Sequence, residues 1–181
     1  MIFMGMLEYR ELGANEKGLI EQIDATCHIQ NAWRMNADSG AFELTEIDWT
    51  DHELPNGLDW HIEHFARTVS SGGKAFGCFD QGTLVGYATL GGHVFGMNEK
   101  YVLLDQLFVS EKYRGKGIGK ELVSWCSKQA VLFGAEKLYI CAGSSEDTIA
   151  FYERLGCRTA AERDEDLFRE DPNDIQLELK I

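Results

Sequence analysis

The chain has 181 residues, and its 30 acidic and 17 basic side chains give a formal net charge of −13. A hydrophobic content of 44% is enough to build a core, which excludes a disordered acidic chain. The negative charge argues against nucleic acid or an anionic membrane as a partner and favours a cationic one.

The N-terminal third is predicted to contain one strand and two helices. A weak alternation of apolar residues predicts a strand over residues 6–12. Apolar residues at helical spacing predict a helix over residues 15–29, with Asn15 as its N-cap. Residues 30–57 show no regular pattern, and residues 59–69 again show helical spacing.

The remaining sequence predicts a hairpin followed by alternating strands and helices. Two apolar runs flank Asp80-Gln81-Gly82, which is typical of a tight turn. The pattern then alternates between buried-type strands and amphipathic helices, the last of which is ended by Gly156. The order favours an α/β fold with a mixed, mostly antiparallel central sheet and helices on both faces. The predicted strands are 74–79, 83–90, 101–109, 138–142, 158–161 and 175–181, and the predicted helices are 117–133 and 145–155.

A glycine-rich segment between strand 101–109 and helix 117–133 carries the strongest chemical signal. Its sequence is Arg114-Gly115-Lys116-Gly117-Ile118-Gly119, and the predicted helix begins inside it. Glycines allow successive backbone N–H groups to point into one concavity at the helix N-terminus, where the helix dipole also favours an anion. Neighbouring lysines add positive charge in an otherwise acidic protein. A pyrophosphate site and an ordinary glycine turn both fit this segment taken alone.

Two linked motifs resemble the GNAT superfamily of acyl-CoA-dependent N-acyltransferases. The motif Val109-x4-Arg114-x-x-Gly117-x-Gly119 is similar to the family's motif A. Residues 145–157 are similar to the helix and strand that follow motif A in that family. The two motifs occur in the expected order and spacing, so the resemblance is strong over residues 101–157. The rest of the chain matches the family only in the order of its elements.

The resemblance implies a sheet whose strands around Val109 and Tyr139 splay apart to admit acetyl-CoA as co-substrate. Backbone groups of Leu107 and Val109 would bind the pantetheine arm as an added strand, and backbone amides over residues 114–120 would bind the pyrophosphate. Ser145 departs from the family, which often has an asparagine at this contact with pantetheine. The residues that the resemblance assigns to the cofactor are Leu107, Phe108, Val109, Arg114, Gly115, Lys116, Gly117, Ile118, Gly119, Lys120, Ser145 and Tyr152.

Acetyl transfer from a thioester to an amine requires a base for the amine proton and an acid for the departing thiolate. Tyr152 matches the tyrosine that commonly protonates the thiolate in this family, and packing in the core is its alternative role. Asp105 is the leading candidate for the base, because a carboxylate in an apolar strand needs a reason. A structural role for Asp105, with a base elsewhere acting through water, is the alternative. A backbone amide near Val109 resembles the family's oxyanion arrangement.

Other chemically suggestive residues have simpler explanations. His61 and His64 share one helix face, but no third ligand stands at a recognisable spacing, so no metal site is expected and surface or acceptor-pocket roles are favoured. Cys141 has no evident histidine–acid pair nearby, so a packed thiol is favoured over an acyl-enzyme nucleophile. Four aromatic residues could surround a cationic amine or pack in the core, namely Trp33, Phe42, Trp49 and Trp60.

Cysteine usage and the termini bear on the cellular context. The five cysteines are scattered and include no C-x-x-C pair, which argues against a disulfide framework or a cysteine zinc site. Residues 1–7 are apolar but lack the basic leader of a signal peptide. No apolar run approaches the ~20 residues that cross a bilayer. We therefore expect a single cytoplasmic domain over residues 1–181.

The resulting hypothesis is an N-acetyltransferase that transfers an acetyl group from acetyl-CoA to a primary, cationic amine by direct attack. The acceptor is expected to be a small-molecule or peptide amine, and the resemblance leaves a homodimer open. The alternative function is a non-catalytic acyl-CoA-binding sensor or regulatory module. Residues 34–63 hold eight acids and one arginine, and residues 162–174 hold seven acids and two arginines. In the resembling fold both segments flank the acceptor side of the cleft, and a solvated acidic surface is the alternative.

Overall fold

The computed structural model describes residues 7–181. Its strands are β1 (Glu8–Leu12), β2 (Cys27–Met35), β3 (Phe42–Asp51), β4 (Lys74–Asp80), β5 (Thr83–Leu90), β6 (Tyr101–Val109), β7 (Lys137–Ala142), β8 (Arg158–Thr159) and β9 (Ile175–Lys180). Seven of them form one sheet in the order β1-β4-β5-β6-β7-β9-β8, and β2 and β3 form a separate two-stranded ribbon. The α-helices are α1 (Leu58–Ser70), α2 (Ile118–Phe133), α3 (Glu146–Arg154) and α4 (Glu165–Glu170), and short 3₁₀ helices span Ala14–Gln22 and Glu111–Tyr113.

Helices cover both faces of the large sheet. On one face, α2 and α3 enclose a core that includes the fully buried Val102, Leu122 and Cys126. On the other face, α1 and the first 3₁₀ helix enclose a second core, which contains Phe65 and Tyr87. The α/β class, the mostly antiparallel sheet and the two helical layers that the sequence predicts are therefore confirmed.

The β6–β7 pair is the parallel pair in this sheet, and β5–β6 contains an irregularity. Thr89 pairs with Gln106 and Leu90 pairs with Leu104, so Asp105 is an extra residue in β6. Such a bulge breaks the strict alternation of side chains between the two faces. Asp105 and Gln106 consequently both bond to side chains of α1, on the same face of the sheet.

The predicted elements of the central part of the chain are confirmed to within one or two residues. The hairpin turn contains Gln81 and Gly82, whose φ angles of 50° and 81° match the tight turn expected from Asp-Gln-Gly. Strand β6 has the predicted limits, and α2 begins one residue after Gly117, which is its N-cap.

The N-terminal predictions are wrong for the extent of the first helix, for its N-cap and for the segments that follow it. The predicted helix 15–29 is a 3₁₀ helix only as far as Gln22, and its N-cap is Gly13 rather than Asn15. Residues 27–35 and 42–51 are strands that were expected to be partly helical or irregular. The predicted start of the first strand at Met6 lies outside the described residues.

The C-terminal predictions need smaller corrections. The acidic segment 162–174, for which no helix or strand is predicted, contains α4, whose N-cap is Asp164. The strand predicted over residues 158–161 extends over only Arg158 and Thr159. Within residues 7–181 no helix is sufficiently long and apolar to span a membrane.

Candidate active site

The candidate site begins where the parallel strands β6 and β7 separate. Their pairing runs only from Tyr101 beside Lys137 to Leu104 beside Ile140. Beyond this point β6 follows β5 as far as Val109, whereas β7 follows β9. The two strands therefore diverge into a cleft, and the helices that follow them, α2 and α3, begin at its open end.

The backbone of β6 is suitably oriented to bind an extended ligand in this cleft. The amide of Ser110 donates to the carbonyl of Val85 at 2.9 Å, and alternate residues of a strand face the same neighbour. Leu107 and Val109 therefore direct their amides away from β5 and toward the cleft, where an added strand could accept them. Phe108 faces β5 instead, and its ring stacks on Tyr87 with centroids 5.8 Å apart.

The glycine turn presents a run of free amides. Among residues 7–181, no hydrogen-bond acceptor pairs with the amides of residues 115–120, because the first amide of α2 with a helical partner is that of Glu121. Gly115 and Gly117 have φ angles of 74° and 84°, in the left-handed region that favours glycine. The exposed Lys112, Lys116 and Lys120 are neighbours of these amides in the chain. The turn thus combines backbone donors, a helix N-terminus and positive charge, which is the combination that binds phosphates.

Arg114 has a structural role that the sequence motif does not reveal. Its amide donates to the carbonyl of Glu111, so the run of free amides starts one residue later than expected. Its guanidinium donates to the carbonyls of Val109 at 2.9 Å, Thr26 at 2.7 Å and Ala25 at 3.2 Å. The side chain therefore ties the segment before β2 to the end of β6.

The strand β2 crosses the open end of the cleft. Its preceding segment, Ala25 and Thr26, is held at the end of β6 by Arg114. Further along, the amide of Trp33 donates to the carbonyl of Ser144 at 2.8 Å, and Ala32 pairs with Ser145 just after β7. Because its two ends are attached to the two diverging strands, β2 forms a wall of the cleft.

Ser145 and Gly119 shape the floor of the cleft. Ser145 is the N-cap of α3, and its hydroxyl accepts the amide of Thr148 at 3.3 Å. The serine hydroxyl is thus used to begin the helix. Gly119 lies so close to α3 that an added Cβ would stand 3.1 Å from the ring of Phe151. The glycine therefore permits the first turn of α2 to approach α3.

Tyr152 lies on α3 with only 7% of its surface exposed. Burial is the main cause that raises the pKa of Tyr152, with smaller contributions from Cys157, Cys126 and Asp174. Among the described residues its hydroxyl has no hydrogen-bond partner. The side chain is therefore a protonated phenol whose O–H is free to donate.

Asp105 receives a set of uncharged donors at the point where the strands separate. The Nε2 atom of His64 lies 2.9 Å from both carboxylate oxygens. The hydroxyls of Thr68 and Thr89 donate to Oδ2 at 2.9 and 3.3 Å. The Asp105 side chain is 12% exposed, so it retains some access from the cleft.

Cys141 marks the centre of an anionic region on the same side of the sheet. The pKa of the Cys141 thiol is raised to about 12, mainly by burial; the charges of Asp174, Glu170 and Asp105 act in the same direction, and a hydrogen bond with Gln176 opposes them. These three carboxylates come from β6, α4 and the segment before β9, so distant parts of the chain converge here. The thiol is held as S–H, which agrees with the expectation of a packed thiol rather than a nucleophile.

The two histidines of α1 have separate partners. Nε2 of His61 donates to the carbonyl of Pro55 at 2.7 Å, and its Nδ1 faces the Gln106 amide at 2.8 Å. Burial lowers the pKa of His61, so it is neutral. No cluster of three metal-ligating side chains occurs within residues 7–181. Of the four aromatic candidates, Trp60 stacks on His64, and Trp33 lies in β2, which forms a wall of the cleft.

The sequence matches the Acetyltransferase (GNAT) family over residues 41–157, which is more than half of the chain. The chain belongs to this family. The matched family is one of acetyltransferases, and one of the solved structures described below contains acetyl coenzyme A. The free amides of the glycine turn suit the diphosphate of that molecule, and the amides of Leu107 and Val109 suit its amide-containing arm.

One relative and two solved structures extend the comparison. The spermine/spermidine N(1)-acetyltransferase of Bacillus subtilis (strain 168) is 29% identical over 101 residues, which are 50% of this chain and 63% of that protein. This GNAT chain therefore spans less than two thirds of the relative's length. Nourseothricin acetyltransferase superposes with a TM-score of 0.72 at 17% identity, covering 96% of this chain and 98% of that one. A Bacillus anthracis str. Ames protein assigned as a streptothricin acetyltransferase and solved with acetyl coenzyme A superposes with a TM-score of 0.70 at 16% identity, covering 97% and 99%. At these identities the structural likeness shows the shared fold.

Sequence reasoning missed several residues of the site. Thr68 of α1 and Thr89 of β5 both donate to Asp105, but neither residue lies in a sequence motif. Helical spacing offered a partial signal, because Trp60, His64 and Thr68 are successive i, i+4 neighbours on α1. Glu170 and Asp174 were recognised only as members of an acidic segment.

Proposed function

We propose that this GNAT enzyme acetylates a primary amine that carries a positive charge, by direct attack on the acetyl-CoA thioester. The observation that carries the proposal is that the charges of Asp105, Glu170 and Asp174 all act on the Cys141 thiol, which lies next to the point where β6 and β7 separate. An ammonium group is attracted to such a region. The relative named for the polyamines spermine and spermidine supports the same class of acceptor.

In the proposed reaction, acetyl-CoA supplies the activated acyl group. The acceptor nitrogen forms a bond to the carbonyl carbon as the carbon–sulfur bond breaks. Asp105 accepts the proton that the amine loses, because its carboxylate lies at the divergence of the strands and remains 12% exposed. The amide of Val109 points into the cleft and is placed to stabilise the negative carbonyl oxygen.

Tyr152 is proposed to donate the proton that the departing thiolate requires. Its O–H has no other partner in the described chain. Burial raises the pKa of Tyr152, so the phenol is still protonated when the thiolate begins to leave. The glycine-turn amides and the backbone of Leu107 would hold the remainder of the co-substrate. Direct attack is favoured over an acyl-enzyme because the Cys141 thiol, with a pKa of about 12, is a poor nucleophile.

The test is release of CoA thiol from acetyl-CoA in the presence of a panel of amines. The panel contains alkyl diamines, an aminoglycoside and a lysine peptide, with amino alcohols of matching length as controls that lack the second charge. We expect the diamines to have a lower KM than the amino alcohols, and the difference to shrink in high salt. Equal KM values would contradict the cationic acceptor. Binding of CoA without thiol release for any amine would instead support a non-catalytic sensor.

A further inference from the structure

One face of α1 is built around Asp105. Trp60, His64, Arg67 and Thr68 occupy positions i, i+4, i+7 and i+8 of this helix, which place them on a single stripe. His64 and Thr68 both contact the carboxylate. Trp60 stacks on the His64 ring with centroids 4.3 Å apart and planes 14° apart, so the imidazole is also held from its flat side.

The hydrogen bonds of His64 define its tautomer. NH2 of Arg67 lies 2.6 Å from Nδ1 of His64. A guanidinium has donors and no acceptor, so Nδ1 must accept this bond and carries no hydrogen. The single ring hydrogen is then on Nε2, which points at both oxygens of Asp105 at 2.9 Å. Arg67 thus donates to His64, and His64 donates to Asp105.

These hydrogen bonds fix the orientation of the Asp105 carboxylate. A neutral imidazole that donates through Nε2 orients Asp105 without neutralising its charge. Thr68 binds the same Oδ2 atom from the next turn of the helix, at 2.9 Å. The carboxylate is therefore prevented from rotating about its side-chain bonds, and this restriction is what a group in a reacting position requires.

We infer that His64 is a positioning residue that holds Asp105 in its reactive orientation, with Arg67 selecting the tautomer that makes this possible. The inference rests on the proposed role of Asp105 as the base. It concerns a contact between two residues and does not require a particular acceptor. His64 itself donates its only ring hydrogen to Asp105 and accepts from Arg67, so both ring nitrogens are occupied.

The kinetic test compares two substitutions of the histidine. His64→Gln can keep a donor near the position of Nε2, whereas His64→Leu keeps bulk without a donor. We expect His64→Leu to lower kcat by about 100-fold with little change in the KM for acetyl-CoA, because a misplaced reactive group costs rate. His64→Gln should recover at least about a tenth of the lost rate. His93→Leu, which removes an exposed histidine of the β5–β6 loop, is the matched control and should leave kcat unchanged.

A spectroscopic test does not depend on activity. Long-range ¹H–¹⁵N correlation spectra distinguish a histidine protonated on Nε2 from one protonated on Nδ1. Wild type should show His64 with a protonated Nε2, and Arg67→Leu should broaden or shift the Nδ1 resonance. If His64 carries its hydrogen on Nδ1, or if His64→Leu and His64→Gln are equally impaired, the inference is wrong. If wild type releases no CoA with any amine, the proposed function fails while the tautomer measurement still tests the contact.

Discussion

Two carboxylates, Glu178 of β9 and Asp105 of β6, lie on either side of the point where β6 and β7 separate, and they are held differently. At the closed end, where β6 and β7 are paired, Glu178 is 1% exposed and has two cationic partners, Lys137 at 3.0 Å and Arg158 at 2.8 Å. At the open end, Asp105 has a neutral imidazole and two hydroxyls. Glu178 is thus paired with cations, whereas Asp105 is held in position by uncharged groups.

The difference separates a stabilising group from a reactive one. A buried charge that is matched by cations stabilises the fold once it is formed, and its removal leaves those cations unpaired. A carboxylate that is held by uncharged donors keeps its negative charge available to a ligand. The electrostatic partners of the two groups therefore predict that substitutions at the two ends will have opposite phenotypes.

The largest expected effect is that of Asp105→Asn. An amide cannot accept the amine proton, so kcat/KM should fall by about 100- to 1,000-fold. The measurement is steady-state thiol release with a saturating and a limiting amine. Asp59→Asn, at an exposed position on α1, is the control. An unaltered pH profile in Asp105→Asn would remove Asp105 from the role of base.

Glu178→Gln should lower stability and leave turnover nearly unchanged. The substitution leaves Lys137 and Arg158 without one anionic partner and should lower the free energy of unfolding by about 3 kcal/mol. The turnover of the folded protein should stay within about twofold of wild type, since the site is at the other end of β6. Urea unfolding and initial rates at low temperature measure the two quantities. Unchanged stability with reduced turnover would contradict the stabilising role of Glu178.

Two tyrosine substitutions compare the open and closed ends without changing the charge of the protein. Tyr152→Phe should lower kcat by about 100-fold, because the thiolate loses its proton donor. Tyr101→Phe removes a hydroxyl that donates to Glu178 at 2.5 Å, and should cost about 1 to 2 kcal/mol of stability with normal kcat. Equal turnover of Tyr152→Phe and wild type would show that Tyr152 only packs in the core.

Strong acid should weaken the closed end. Burial opposes ionisation of Glu178, but hydrogen bonds from Tyr101, the Ala161 amide, Lys137 and Arg158 outweigh it and lower the pKa to about 2. A lowered carboxyl pKa contributes stability that is present above the ordinary value and is lost as pH falls through the lowered one. The stability difference between wild type and Glu178→Gln should therefore narrow between about pH 5 and pH 2. A difference that stays constant over this range would contradict the assignment.

The smallest effect is expected for Asp174→Asn, at the open end. Burial, assisted by the charge of Asp171, raises the pKa of Asp174 to about 6. A raised carboxyl pKa gives stability that is present at low pH and is lost as pH rises through about 6, so the substitution should raise the melting temperature at pH 7. Loss of the anion should raise the KM of a diamine by about fivefold. An unchanged KM for every cationic amine would remove Asp174 from the acceptor site.

The sequence predicted those parts of the fold in which apolar periodicity is strong. The hairpin around Gln81, strand β6 and helix α2 are buried on regular faces, so their limits were accurate. The ribbon of β2 and β3 was missed because large apolar side chains such as Met35 and Trp49 are exposed there, 51% and 61%. Its pattern therefore differs from that of a strand in a buried sheet.

The site was predictable only where a single segment carries it. The glycine turn and Asp105 could be proposed as candidates because each is unusual in its own sequence surroundings. The contact between His64 and Asp105 joins residues 41 positions apart and depends on a bulge that leaves no mark in the sequence. The convergence of Glu170 and Asp174 on Cys141 likewise follows from the tertiary fold.

The bulge also shows what the length of β6 contributes. Thr89 and Leu90 are neighbours in β5, whereas their partners, Gln106 and Leu104, are separated by one residue. Deleting Asp105 would thus leave β5 and β6 with a continuous ladder, and Gln106 would still reach His61. The sheet has no architectural need for the extra residue. The carboxylate at the open end is in effect an insertion, carried by a strand that would be more regular without it.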